Sequence, residues 1–174
     1  TPKAGGPYQI SISDGEPIVL HNILIGEVWL CSGQSNMEMP MQGWSVKMNS
    51  EEISNSSNYP RIRLLHVKHA ISPSPIDSFT AVGDGWLNCS PETVKDFSAT
   101  GYFFGVNIFK SQNVPVGLIM TCWGGTTAEA WTSPQSLEYM PCFSEQIKDN
   151  KMADCHPDTY LKHLQKARSI RQDS

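Results

Sequence analysis

Hydrophobic and polar positions alternate at the start of the chain. Tyr8, Ile10 and Ile12 are interleaved with Gln9, Ser11 and Ser13, a period of two that predicts a half-buried strand. Asp14-Gly15 then signals a hairpin turn, and Pro17-Ile18-Val19-Leu20 reads as the return strand. Two strands bury too little to be stable alone, so this hairpin must pack on something. From Ile23 the pattern changes. Residues 24–31 form an apolar run that predicts a buried first strand, and residues 40–58 are polar, as in a loop or short helix. Residues 61–67 (Arg-Ile-Arg-Leu-Leu-His-Val) read as a second strand, and residues 72–91 as a long irregular connection. Val94, Phe97, Gly101, Phe104 and Ile108 recur at spacings of three and four, one face of a buried helix. Residues 116–122 form a largely apolar run, as in a parallel strand covered on both faces. Strands alternating with helical segments imply right-handed βαβ crossovers in one sheet.

The first apolar run ends in Gly33-Gln34-Ser35-Asn36-Met37. A small-residue turn after a strand presents the next polar side chain at the carboxyl edge of the sheet, where open α/β sheets bind ligands. Two readings of Ser35 fit the local string: a nucleophile flanked by the amides of Gln34 and Asn36, or an ordinary helix cap. The third apolar run ends comparably, in Trp123-Gly124-Gly125-Thr126. The two turns are therefore expected on the same sheet edge, with the N–H groups of the second pointing into the site.

Three stretches together resemble one family. Residues 29–39 (Trp-Leu-Cys-Ser-Gly-Gln-Ser-Asn-Met-Glu-Met) are similar to the first block of the sialate O-acetylesterases, a carbohydrate-esterase branch of the SGNH hydrolases. Residues 115–126 followed by Glu129-Ala130-Trp131 resemble a second block, and residues 98–105 resemble the helix between them. The resemblance implies a three-layer α/β fold, a parallel sheet with helices on both faces. It implies residues 1–22 as the tail of a preceding β-rich domain and 23–174 as the esterase domain. It also implies a serine mechanism with Ser35 as nucleophile, acting on O-acetylated sugars (sialic acids first, acetylated xylan next) without metal or organic cofactor. Gln34, Asn36, Trp123, Gly124 and Gly125 then line the site, Gly125 as oxyanion donor; Gly101 is a weaker donor candidate that helix packing explains equally well. Trp123 and Trp131 are candidate walls against a sugar ring, whereas Trp29 and Trp86 read as core. A secreted, periplasmic or lysosomal setting follows from the resemblance alone.

The base is less clear. The family's histidine belongs to a late Asp/His block with a following proline, and Asp154-Cys155-His156-Pro157 resembles it. That makes His156 the candidate base and Asp154 its orienting acid. The string lies close behind Trp123-Gly124-Gly125-Thr126, however, without the strands and the Gly-Glu-Ser-Asn-type block that the family places between. His156 therefore has a second reading, as a loop histidine. The same shortfall, three parallel strands where an SGNH core has about five, implies a domain incomplete at its C-terminal end. An incomplete sheet would leave an unpaired apolar edge and invite self-association. The alternative function is accordingly a catalytically incompetent fragment or carbohydrate-binding remnant. His66 and His69 could suggest metal ligands, but no further ligand lies nearby in sequence.

Bulk properties narrow the field. The chain has 174 residues, enough for a sizeable core. Hydrophobic residues make up 39% and charged residues 17%, with a formal net charge of −4, so the chain is neither disordered nor membranous. No basic stripe suits a nucleic-acid partner, and no apolar run is long enough to span a bilayer. Of five cysteines, Cys31 and Cys122 end strand-like runs and read as buried thiols. Cys89, Cys142 and Cys155 lie in polar or loop-like segments, where a disulfide cannot be paired from sequence.

Overall fold

The computed structural model describes residues 2–44, 49–72, 76–145 and 147–148. The chain divides into two compact units, one of residues 1–69 and 79–125 and one of residues 70–78 and 126–174. The second contains short helical turns at Ala128–Trp131, Pro134–Leu137 and Pro141–Phe143. The rest of the fold described here lies in the first.

The hairpin is present. Strands β1 (Gly5–Asp14) and β2 (Glu16–Ile25) pair antiparallel and turn at Gly15. They are more exposed than the alternation predicts, with Ile10, Ile12 and Ile18 all open to solvent. The return strand also runs further, so the expected strand over 24–31 is split. Its first two residues belong to β2, and β3 begins at Glu27 (Glu27–Gly33). Gly26 causes the break by close approach: a Cβ there would lie 2.0 Å from the Pro115 carbonyl oxygen. That same oxygen accepts the Glu27 N–H at 2.9 Å. At Gly26, therefore, the chain exchanges its β1 partner for the sheet. Arg63 ties the hairpin down from the other side, donating to Asn22 Oδ1 at 3.2 Å.

The sheet follows the order β3-β6-β4-β5, with β4 at Ile62–His66, β5 at Leu87–Asn88 and β6 at Val116–Cys122. The three long strands are parallel, as expected, but β5 pairs antiparallel with β4, so the sheet is mixed. The two-residue β5 sits within the segment read as irregular, too short to leave a periodic signal. Single helical turns α1 (Ser35–Glu38), α2 (Ser50–Ser54) and α3 (Pro91–Val94) precede a long helix, α4 (Ala99–Gln112).

The core lies between α4 and one face of the sheet. Along β6, Val116, Leu118, Met120 and Cys122 are buried and the intervening residues only partly so, a one-sided strand rather than the two-sided one expected. The buried side of α4 also differs from expectation. It is formed by Ala99, Gly101, Tyr102, Gly105 and Val106, while Phe104 is exposed and Val94 belongs to α3. Small residues decide this. A Cβ at Gly105 would lie 2.6 Å from Leu118 Cδ1, and one at Gly101 would lie 3.0 Å from Cys31 Sγ. The glycines bring the helix onto the sheet, and the larger Phe104 is displaced to the flank, edge-on to Trp29 at 5.0 Å.

Among the described residues β3 has a strand partner on one side only. Val28 and Leu30, two apart on that strand and so on the sheet face opposite Cys31, are 62% and 65% exposed. Trp29 and Trp86 are also at least 40% exposed, so neither is core. No helix among the described residues is long and apolar enough to cross a membrane.

Gly26→Ala should destabilise the protein by about 1–3 kcal/mol or more, because the new methyl meets backbone rather than a yielding side chain. Urea unfolding followed by tryptophan fluorescence checks this. A midpoint equal to wild type would show that the junction relaxes freely.

Candidate active site

The parallel pairing of β3 and β6 sets Gly33 beside Cys122, so both strands end at the same edge. There the Trp123 N–H donates to the Gly33 carbonyl at 2.9 Å. Gly33 takes a φ of +146°, a conformation that favours glycine, and the chain turns there into α1. The two turns touch: a Cβ on Gly124 would lie 3.2 Å from Ser35 Oγ and 2.6 Å from Glu38 Oε2. Only a residue without a side chain fits between them.

Ser35 is half-buried at the start of α1. Its hydroxyl donates to Gln34 Oε1 at 2.9 Å, and its backbone N–H donates to the same oxygen at 3.0 Å. Gln34 thus acts as the cap of α1 and as the resting partner of the serine. The expectation that Ser35 offers an open N–H at a helix start is modified accordingly: the helix is one turn long and its first donor is already taken. Asn36 is exposed, and its backbone carbonyl accepts from Thr100 Oγ1 at 3.0 Å, linking α1 to α4.

Sequence reasoning overlooked a second group at this edge. Glu38, one turn beyond Ser35, accepts the Gly124 N–H with Oε2. Its Oε1 lies 3.0 Å from His69 Nε2. His69 Nε2 also lies 2.9 Å from the Cys122 carbonyl oxygen. A carbonyl and an ionised carboxylate both accept, so Nε2 is the protonated nitrogen of this imidazole. The His69 ring stacks on Trp123, with centroids 4.3 Å apart and planes 5° from parallel. The position of Glu38 three residues after Ser35, on one side of a helical turn, was the available signal. The partnership with His69 is non-local and leaves none.

Other predicted site residues separate. Gly101 is buried against Cys31, and its N–H donates to Ser98 Oγ at 3.0 Å, so it serves helix capping and packing. The Gly124 N–H is held by Glu38, whereas Gly125 is exposed beside it in the same turn. One face of Trp123 is covered by His69. Trp131 is 43% exposed, and its Nε1 donates to Thr126 Oγ1 at 2.7 Å. His156 and Asp154 lie outside the described residues. Among the described residues, no group of three His, Cys, Asp or Glu side chains is arranged to hold a metal ion.

The thiols nearby are inert. Cys31 is pushed up by burial. Cys122 is pushed up to about 12, by burial first and then by the charges of Glu38 and Cys31. Cys89, also buried and free rather than disulfide-bonded, reaches about 12 for the same first reason, with Arg63 opposing. None of these is a competing nucleophile at neutral pH.

A family model described as carbohydrate esterase, sialic acid-specific acetylesterase, matches residues 25–160. The chain belongs to this family. Sialate O-acetylesterases from Pongo abelii and Homo sapiens are each 33% identical to it over 146 residues, covering 78% of this chain and 28% of theirs. The Mus musculus protein is 31% identical over the same length. The crystal structure of a carbohydrate acetylesterase from Xanthomonas citri aligns with a TM-score of 0.69 at 33% identity, covering 77% of this chain and 30% of that one. The chain thus spans just over a quarter of the length of these curated relatives. The SGNH-like α/β architecture and the carboxylic-ester hydrolase family agree with the reading of the sequence.

His66 ends β4 with its ring edge-on to Phe97. Burial lowers its pKa below 6.5, the neighbouring His69 adds to this, and Asp96 and Glu38 oppose it. The folded protein therefore holds this proton less readily than the unfolded chain does. The stability linked to His66 is intact above 6.5 and is lost as pH falls through its folded value. An NMR titration of the histidine Cε1 protons should show His66 with a midpoint below 6.5; a midpoint at or above that value would contradict the assigned environment.

Proposed function

We propose that this chain supplies the nucleophilic part of a serine esterase that removes O-acetyl groups from sugars, sialic acids above all. One observation carries the reading: in a chain of the acetylesterase family, Ser35 and the Gly124-Gly125 turn meet at the edge where the parallel strands β3 and β6 end. Ser35 Oγ attacks the acetyl carbonyl carbon and gives its proton to a histidine base, for which His156 oriented by Asp154 is the candidate within this chain. The tetrahedral oxyanion is held by backbone N–H groups, Gly125 first. The Ser35 N–H joins it once the Gln34 side chain has swung away. Collapse of the intermediate breaks the bond to the sugar oxygen, which takes the proton from the base. Water then attacks the acetyl-enzyme, releasing acetate and restoring Ser35. No step calls for a metal or an organic cofactor.

A second reading has support of its own. The Ser35 hydroxyl points at Gln34, and among the described residues it has no hydrogen bond to a histidine. A chain without a competent base would keep the acetyl-sugar edge and bind without hydrolysing.

Acetate release from an O-acetylated sialic acid separates the two. The active reading expects release that drops by several orders of magnitude, roughly a millionfold in well-studied serine hydrolases, in Ser35→Ala. It also expects labelling by a serine-reactive phosphonate that disappears in the same variant, and loss of activity in His156→Ala. Sugar binding with no acetate release supports the silent reading. Labelling that persists in Ser35→Ala removes Ser35 from the mechanism.

A further inference from the structure

Three features are not used by the proposed reaction: the open edge of β3, the buried thiols and the Glu38–His69 pair. Nothing in the structure shows what covers the β3 edge, and the thiols are inert. The third feature carries an inference. Glu38 has both carboxylate oxygens engaged and a side chain only 16% exposed. One oxygen holds a backbone N–H of the turn facing the serine; the other holds His69, which is itself fixed by the Cys122 carbonyl and by the face of Trp123. Glu38, His69, Cys122, Trp123 and Gly124 form a closed loop of contacts around the end of β6. Ser35 and Glu38 share one helical turn, so whatever fixes Glu38 also fixes the serine relative to Gly124.

From this geometry we infer that Glu38 is a positioning residue for the Ser35 site, assisted by His69, and that it sets the distance between the nucleophile and the turn carrying the oxyanion donor. This rests on Ser35 being the nucleophile. Glu38 occupies the Gly124 N–H, so the oxyanion role passes in this reading to the next N–H of the turn, that of Gly125. A charge-assisted bond suits the task, because it is stronger than a neutral one and the glycine turn has little side-chain packing to hold it. His69 holds the second carboxylate oxygen through its Nε2–H and so fixes the direction in which the carboxylate reaches Gly124.

The experiment compares wild type, Glu38→Ala, Glu38→Gln and His69→Phe in the whole chain. Amide hydrogen exchange at Gly124 is read against Leu118 and Met120, alongside kcat and KM for acetate release from a simple acetyl ester. In Glu38→Ala, exchange at Gly124 should rise about tenfold or more, with Leu118 and Met120 unchanged. kcat should fall about tenfold to a hundredfold with KM nearly constant, the signature of a misplaced donor rather than lost binding. Glu38→Gln, which keeps a carbonyl for the Gly124 N–H, should restore most of both. If Glu38→Ala does not fold, His69→Phe still decides: it keeps a ring on Trp123 but frees the carboxylate, and should raise Gly124 exchange to a smaller extent. Unchanged Gly124 exchange in the variants that fold overturns the inference. So does a fall in kcat accompanied by equal loss of protection at Leu118 and Met120, which marks a general stability effect. A wild-type chain that releases no acetate refutes the esterase reading; Gly124 exchange alone then decides whether Glu38 holds the turn.

Discussion

The parallel pairing of β3 with β6 is the constraint on which the rest of the site depends. Register alone places Gly33 beside Cys122 and thereby brings two turns, distant in sequence, into van der Waals contact. A slip of one residue would reverse the facing of every side chain on β3. Cys31 would leave the core, and Gly101 would lose the neighbour that lets α4 lie close. The site is thus held by core packing as much as by its own hydrogen bonds. Leu118 under Gly105 and Cys31 under Gly101 are the contacts that prevent the slip.

Charge at this edge is confined. Glu38 lies near Cys122 and His66, and its influence appears in both: it raises the thiol's pKa and partly offsets the lowering at His66. Burial remains the larger effect in both cases. Among the described residues, the carboxylate is held by a backbone donor and the His69 N–H, with no lysine or arginine paired to it.

Elements with a strong local signal were readable from sequence. The Asp14-Gly15 turn, the limits of β6 and the existence of α4 follow from turn chemistry and apolar runs. The two turns on one edge follow from both strands ending in glycine-containing strings. Features created by tertiary contact were not readable. The break at Gly26 exists because Pro115 passes beside it. The buried side of α4 is chosen by where glycines admit Leu118 and Cys31, and hydrophobicity by itself favoured Phe104. Glu38 had no role assigned from sequence; its partner His69 lies on another strand's exit, and no spacing rule connects them.

The bond from Ser35 to Gln34 has a consequence for how such a site could be switched. A single oxygen from the preceding residue satisfies both donors of the serine. Freeing the two Ser35 donors therefore takes only rotation about the side-chain bonds of Gln34. The coordinate is a rotamer, with a barrier crossed on the picosecond-to-nanosecond scale for an exposed side chain. Readiness is then a matter of competition: an incoming carbonyl and a base must together outbid one amide for the same two hydrogens. Reactivity at this edge can accordingly be tuned by a neighbour's side chain while the backbone stays where the sheet put it.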